Sequence, residues 1–231
     1  MLTLSAAGRT EQGLVRKSND DAYRIYNSGH PVAGAGRGFL YAVADGIGSY
    51  RAGGQAAAIA VDQLGLYFQI PGSAFRGEET VDDLIYKAND GITRLRTAQK
   101  EYYGMGSTLT ALLVVPDTGA AVFYQVGDSM AYVLRRGRFV PITTQQKTEG
   151  SELANHLGIG ARLAIEKVRL VVQPGDSFLL CSDGVHGYLP EERLAECLGL
   201  SDNPAHCLDA LMSAAVPVSK DNVTAIVVKA E

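Results

Sequence analysis

The sequence predicts an α+β layered domain, in which antiparallel sheets carry helices on their outer faces. Three observations lead there. Apolar, strand-like runs recur as pairs joined by short turns, and helical stretches come two at a time. Between residues 106 and 181 strands and helices do not alternate strictly, as a doubly wound parallel sheet would require. The chain has 231 residues, 46% hydrophobic and 20% charged, which is ordinary for a folded protein. A chain of that length needs neither disulfide nor metal simply to fold, and a single domain over 1–231 is the expectation.

Taken in order, two Gly-rich stretches at 28–38 and 46–54 read as loops, the first as a hairpin connection. Between them the run 39–44 (FLYAVA) ends abruptly at Asp45-Gly46, a buried strand stopped by a turn. Residues 52–68 place Ala57, Val61, Leu64 and Phe68 at helical spacing. Thr80, with Asp83 three residues on, resembles a capping box, and Leu84, Ala88, Ile92 and Leu95 continue one helical face to about residue 100. The period then changes to that of strands. These are expected at 108–115 and 120–126 around the turn PDTG, at 130–135 and 139–142 around Arg136-Gly137, and at 168–172 and 177–181 around Pro174-Gly175-Asp176. Residues 191–200 and 204–215 read as two helices, and 223–228 (VTAIVV) as a closing strand.

Composition narrows function further. The 25 acidic residues exceed the 21 basic ones, for a net charge of −4, which argues against sequence-independent binding of nucleic acid. Cys181, Cys197 and Cys207 are odd in number and in no C-x-x-C, as expected of reduced thiols in a cytoplasmic protein. The start, MLTLSAAGRTEQG, lacks the pattern of a signal peptide, and no run reaches the ~18 apolar residues of a membrane span.

The most informative feature is where the aspartates fall. Asp45, Asp128 and Asp183 each close an apolar run beside a small residue, in Asp45-Gly46, Gly127-Asp128-Ser129 and Ser182-Asp183-Gly184. Asp221 stands just ahead of VTAIVV, and Asp21 just ahead of the strand-like 22–26. A strand end puts its side chain at a sheet rim, and an adjacent glycine lets other groups approach closely. Each such aspartate taken alone is an ordinary turn residue. If the rims face one way the carboxylates converge, and a carboxylate cluster calls for cations or raised pKa values. An all-oxygen donor set suits Mg²⁺, Mn²⁺ or Ca²⁺. Spacing alone takes the reading to a divalent-cation site of unspecified chemistry.

Six segments, in order, carry it further: GLVRKSNDDA (13–22), FLYAVADGIGSYRAG (39–53), GMGSTLTALLV (104–114), VGDSMAYVLRRG (126–137), LLCSDGVHG (179–187) and KDNVTAIVV (220–228). Together they resemble the metal-dependent Ser/Thr protein phosphatases of type 2C, in their compact bacterial form. The resemblance implies a four-layer αββα sandwich: two central antiparallel β-sheets flanked by pairs of helices. It implies two Mn²⁺ or Mg²⁺ ions with a third, weaker one. Asp45 would bridge the pair, the Gly46 carbonyl and the carboxylates of Asp183 and Asp221 would complete it, and Asp21 would act mostly through metal-bound water. Asp128 would help hold the third ion, and Arg16 would bind the substrate phosphate, its fork suiting bidentate contact. A metal-activated water would then attack phosphorus without a phosphoenzyme. From the residues alone, an ion pair of Arg16 with Asp20 or Glu11 is the competing account of that arginine.

The resemblance also implies phosphorylated protein substrates, a Ser/Thr kinase and its targets as partners, bacterial signalling as the setting, and a monomer, with neither nucleic acid nor membrane involved. The sequence departs from the family pattern at Ile47, where some eukaryotic members carry a histidine proposed as general acid, and at Ser49-Tyr50. It departs again at 143–160 (TTQQKTEGSELANHLGIG), which replaces the acidic, His-bearing start of the family's substrate-contacting flap. His156 and His186 read as surface or hydrogen-bonded residues. The competing class is a catalytically silent phosphoprotein-binding module on the same fold. A dinucleotide enzyme fails on order, because GAGRG precedes its strand instead of following one.

Overall fold

Most strands of this protein are covered on both faces, so their sequences are apolar at consecutive positions instead of alternating. The computed structural model describes residues 2–26, 37–47, 52–115, 117–150 and 152–231. Eleven strands are present among them: β1 (Leu4–Glu11), β2 (Asp21–Tyr26), β3 (Phe39–Ile47), β4 (Gly106–Ser107), β5 (Leu109–Val115), β6 (Ala120–Val126), β7 (Met130–Arg135), β8 (Arg138–Pro141), β9 (Glu166–Val171), β10 (Ser177–Cys181) and β11 (Val223–Ala230). The helices are α1 (Ala52–Gly65), α2 (Glu78–Ala98), the single turn α3 (Asp183–His186), α4 (Glu191–Gly199) and α5 (Pro204–Ala215).

Two antiparallel sheets result. One runs β1-β11-β10-β7-β8 and the other β2-β3-β5-β6-β9, with β4 added on β3. They bury a common core, with Tyr41, Leu112 and Phe123 of the six-stranded sheet against Phe178, Leu180 and Ile226 of the five-stranded one. The Phe123 and Phe178 rings lie 5.7 Å apart. Period-2 alternation sends the remaining positions outward. Leu40, Ala42 and Tyr124 meet Ala56, Ala60, Leu64 and Leu84 of α1 and α2. Leu179, Tyr132 and Val227 meet Leu194, Leu198, Leu208 and Leu211 of α4 and α5. The four-layer αββα sandwich is therefore as expected.

Several expectations are corrected. The strands at 166–171 and 177–181 do not form a hairpin: β9 pairs with β6, β10 pairs with β7 and β11, and the Pro174-Gly175-Asp176 turn carries the chain from one sheet to the other. Thr80 is no N-cap, since α2 begins at Glu78 behind Gly77, and the Thr80 hydroxyl instead accepts a hydrogen bond from the Arg76 amide at 2.9 Å. β1 and α3 were not anticipated. β1 is made of small and polar residues, and its eight-residue register with β11, Leu4↔Ala230 to Glu11↔Val223, supplies what local propensity does not. Most of loop 28–38, and Ser49 and Tyr50, lie outside the described residues.

The register also sets the direction of the strand ends. Asp21 at the start of β2 is the cross-strand partner of Asp45 near the end of β3. The start of β5 lies beside both the end of β3 and the end of β6, through Val43↔Thr110 and Leu109↔Val126. In the other sheet the end of β10 lies beside the starts of β7 and β11, through Cys181↔Met130 and Cys181↔Ala225. Gly127-Asp128-Ser129 crosses between the sheets, from β6 to β7. All these ends share one rim.

Candidate metal centre

At that rim is a cleft of about 230 Å³ lined by Asp20, Asp45, Asp128, Asp183 and Asp221, with Arg16 and Gly46. Asp21 lies buried immediately beneath, joined to the wall by a hydrogen bond from the Ser182 hydroxyl at 2.8 Å. All the aspartates picked out from the sequence are thus gathered in one place. Each is held by its backbone. The Asp45 amide donates to the Thr108 hydroxyl at 2.9 Å, and the Asp45 carbonyl accepts from the Thr108 amide at 2.9 Å and the Ser107 hydroxyl at 3.1 Å. Thr108 in turn shares a hydrogen bond of 2.7 Å with Ser129, next to Asp128. The glycines that follow Asp45 and Asp183 are needed for close approach: a Cβ on Gly46 would overlap the carbonyls of Gly53 and Asp20, and one on Gly184 would overlap that of Asn222.

The carboxylates press on one another. Burial pushes Asp45 well above the usual carboxylate range, and Asp21, Asp183, Asp221 and Asp128 each push it further. Burial raises Asp21 to about 7 from its ordinary 3.8, against hydrogen bonds from Thr224 and Ser182 and with help from Asp183 and Asp221. Burial, then Asp128 and Asp221, raise Asp183. The Asp183 Oδ1 atom is buried with no hydrogen-bond partner. A buried carboxylate oxygen left unpaired is costly and is what a cation would satisfy.

Two basic side chains already answer part of this charge. Arg16 Nη2 lies 2.5 Å from Asp221 Oδ2, so its ion pair is with Asp221 and not with Asp20 or Glu11. Lys147 Nζ lies 2.9 Å from Asp128 Oδ2. No three Asp, Glu, His or Cys side chains among the described residues already stand at ion-holding spacing. The donor set nevertheless fits divalent cations: it is oxygen only, anionic, crowded, and leaves one oxygen orphaned. The Arg16 segment is tied down by Asn222, whose side chain donates to the carbonyls of Gln12 and Ser18 at 2.8 Å each and accepts from the Asp20 amide at 2.9 Å.

Sequence reasoning missed Asn222, Thr108, Ser129 and Lys147. Asn222, Thr108 and Ser129 stand inside segments already singled out, KDNVTAIVV, GMGSTLTALLV and VGDSMAYVLRRG, where each carries a signal of its own. The two histidines are hydrogen-bonded, as expected. His186 Nε2 lies 3.0 Å from the Asp128 carbonyl and His156 Nδ1 2.9 Å from that of Leu157. Burial lowers the His186 pKa, which favours a neutral ring donating to the carbonyl.

A sandwich of two antiparallel sheets with an acidic cleft at its rim defines a class, and comparison with known proteins identifies it. The sequence profile described as protein phosphatase 2C matches residues 15–215. The serine/threonine phosphatase stp of Listeria innocua is 24% identical over 249 residues, spanning 98% of this chain and 96% of that protein. A crystal structure of the catalytic domain of the serine/threonine protein phosphatase PstP, in complex with two manganese ions, superposes with a TM-score of 0.85 at 28% identity, covering 100% of this chain and 99% of that one. PppA, a key regulatory component of the T6SS in Pseudomonas aeruginosa, superposes with a TM-score of 0.83 at 27% identity, covering 99% and 98%. The chain belongs to the protein phosphatase 2C family and is a hydrolase of the protein phosphatase class. No helix among the described residues is long and apolar enough to cross a membrane.

Proposed function

We propose that this chain hydrolyses phosphoserine and phosphothreonine in proteins at the rim cleft, with two Mn²⁺ or Mg²⁺ ions as cofactors. The observation that supports it most is the gathering of Asp21, Asp45, Asp128, Asp183 and Asp221, drawn from both sheets, at one rim, where a buried oxygen of Asp183 is left without a hydrogen-bond partner. Asp45, the Gly46 carbonyl, Asp183 and Asp221 would hold the ions, and Asp21 would support them from beneath through water. Bound there, divalent ions supply Lewis acidity and bring the pKa of a coordinated water towards neutrality.

The rest falls to the chain. Arg16, more than half exposed on a loop braced by Asn222, can turn from Asp221 to a phosphate and meet two of its oxygens with one fork. Asp45, clamped at amide and carbonyl, holds its carboxylate at a fixed place on the floor. Ile47 offers no proton to the leaving oxygen, so protonation falls to solvent in the cleft. Loss of a metal-binding acid would favour the silent-module alternative, and the presence of Asp21, Asp45, Asp183 and Asp221 weighs against it. The single-domain reading of 1–231, the kinase partner and the monomeric state belong to this same proposal, as does a cytoplasmic setting.

Steady-state assays with p-nitrophenyl phosphate and phosphopeptides test it. Wild type should turn over with Mn²⁺ and stop in EDTA, and Arg16→Ala should chiefly raise KM, by about tenfold, for loss of a charge-assisted contact. Equal rates with and without chelator would refute the metal assignment. An unchanged KM would return Arg16 to a purely structural ion pair.

A further inference from the structure

Lys147 differs from Arg16 in how it is held. Arg16 reaches Asp221 from an exposed loop with its side chain 56% exposed, whereas Lys147 is 30% exposed and its partner Asp128 only 11%. The segment carrying Lys147 is pinned on both sides. The Gln146 amide donates to the Gly127 carbonyl at 2.9 Å, and the Gln146 side-chain oxygen accepts from the Gly127 amide at 2.8 Å and from Asn155 at 2.6 Å. Lys147 forms an antiparallel bridge with Leu153, which itself lines the cleft. From the other side, His186 holds the Asp128 carbonyl. The backbone that carries the ammonium is therefore held beside Asp128, within reach of the 2.9 Å ion pair. Its charge also reaches Asp183: burial, Asp128 and Asp221 push that carboxyl up, and Lys147 pulls it down.

A divalent ion drawing on Asp128 would have to share its carboxylate with an ammonium in hydrogen-bond contact, and like charges at that distance repel strongly in a partly buried site. We propose that Lys147 is a built-in cation on the Asp128 side of the cleft, so that this chain fills a two-ion centre and a third divalent ion binds only by displacing the lysine. This rests on the metal-dependent phosphatase reading above. It assigns the 143–160 segment a role in setting how many ions the cleft accepts.

Titration of Mn²⁺ into the metal-stripped full chain by calorimetry, with bound manganese counted after ultrafiltration, tests this without any assay of activity. Wild type should take two ions tightly. Lys147→Gln should take one more, about tenfold tighter or better than any third ion in wild type. Lys147→Arg should keep the wild-type isotherm, and Asp128→Asn added to Lys147→Gln should remove the gain. A folded Lys147→Gln with the wild-type isotherm overturns the inference, even if its KM for phosphopeptide rises. So does a gained ion in Lys147→Arg, or a wild type that binds three ions with like affinity. Two ions in wild type with no effect of Lys147→Gln would sink this inference alone. No Mn²⁺ bound by wild type would sink the metal-dependent reading with it.

Discussion

Asp45→Asn is expected to lower turnover by about 10³-fold while leaving the fold intact. Asp45 is the carboxylate on which Asp21, Asp183, Asp221 and Asp128 all act, and it sits where β2, β3 and β5 come together. If it bridges the ions, the amide removes the anionic contact that they share. The stabilisation at stake is several kcal/mol, and each 1.36 kcal/mol is a factor of ten in rate. The same change removes one charge from a crowded, buried group, so the metal-free variant should melt at a higher temperature than metal-free wild type. Rate and stability thus move in opposite directions, which separates a metal ligand from a structural residue. Steady-state kinetics with Mn²⁺, paired with thermal melts in EDTA, reads both. A variant with a near-normal rate would mean that Asp45 does not bridge.

The second large effect is on the metal-free protein as pH changes. Asp21 titrates at about 7 when folded and near its ordinary 3.8 when unfolded, with burial as the main cause. The raised value means that the folded state holds a proton the unfolded state has released. The associated penalty is absent below about pH 4, grows as pH rises, and is complete above about pH 7. Asp45 and Asp183 are shifted in the same direction, so they steepen the trend. At about 1.4 kcal/mol per pH unit for one group, the loss between pH 4 and pH 7 is a few kcal/mol, or on the order of 10 °C in Tm. Millimolar-range Mn²⁺ should restore it near pH 7.5, since binding to the folded state alone stabilises it by mass action. Melts from pH 4 to 8, with and without Mn²⁺, should diverge as pH rises. Parallel curves would mean that the carboxylates do not share one site.

The layering was legible because long helical and strand periods survive burial: 204–215 and 177–181 were bounded to the residue, and 120–126 and 130–135 likewise. The aspartates were legible as chain punctuation, each beside an apolar run. Their convergence was not, because it depends on register. Asp21 meets Asp45 only through β2–β3 pairing, and Asp128 joins them only because the chain changes sheets at Gly127. Turn chemistry reveals that a chain reverses and leaves open whether the next strand stays in the sheet, which is why 174–176 read as a hairpin. Arg16 and Asp221 are 205 residues apart, and no local pattern links them. Lys147 sits in a segment without periodicity, and its place follows from the hydrogen bonds of Gln146 to Gly127.

A crystal of the chain grown with MnCl₂, with data collected at the manganese absorption edge, is the most direct measurement. The expected map holds two strong anomalous peaks between Asp45, Asp183 and Asp221, both in contact with Asp45, and Arg16 swung away from Asp221. No peak in the cleft, or peaks touching none of these side chains, would contradict the central claim.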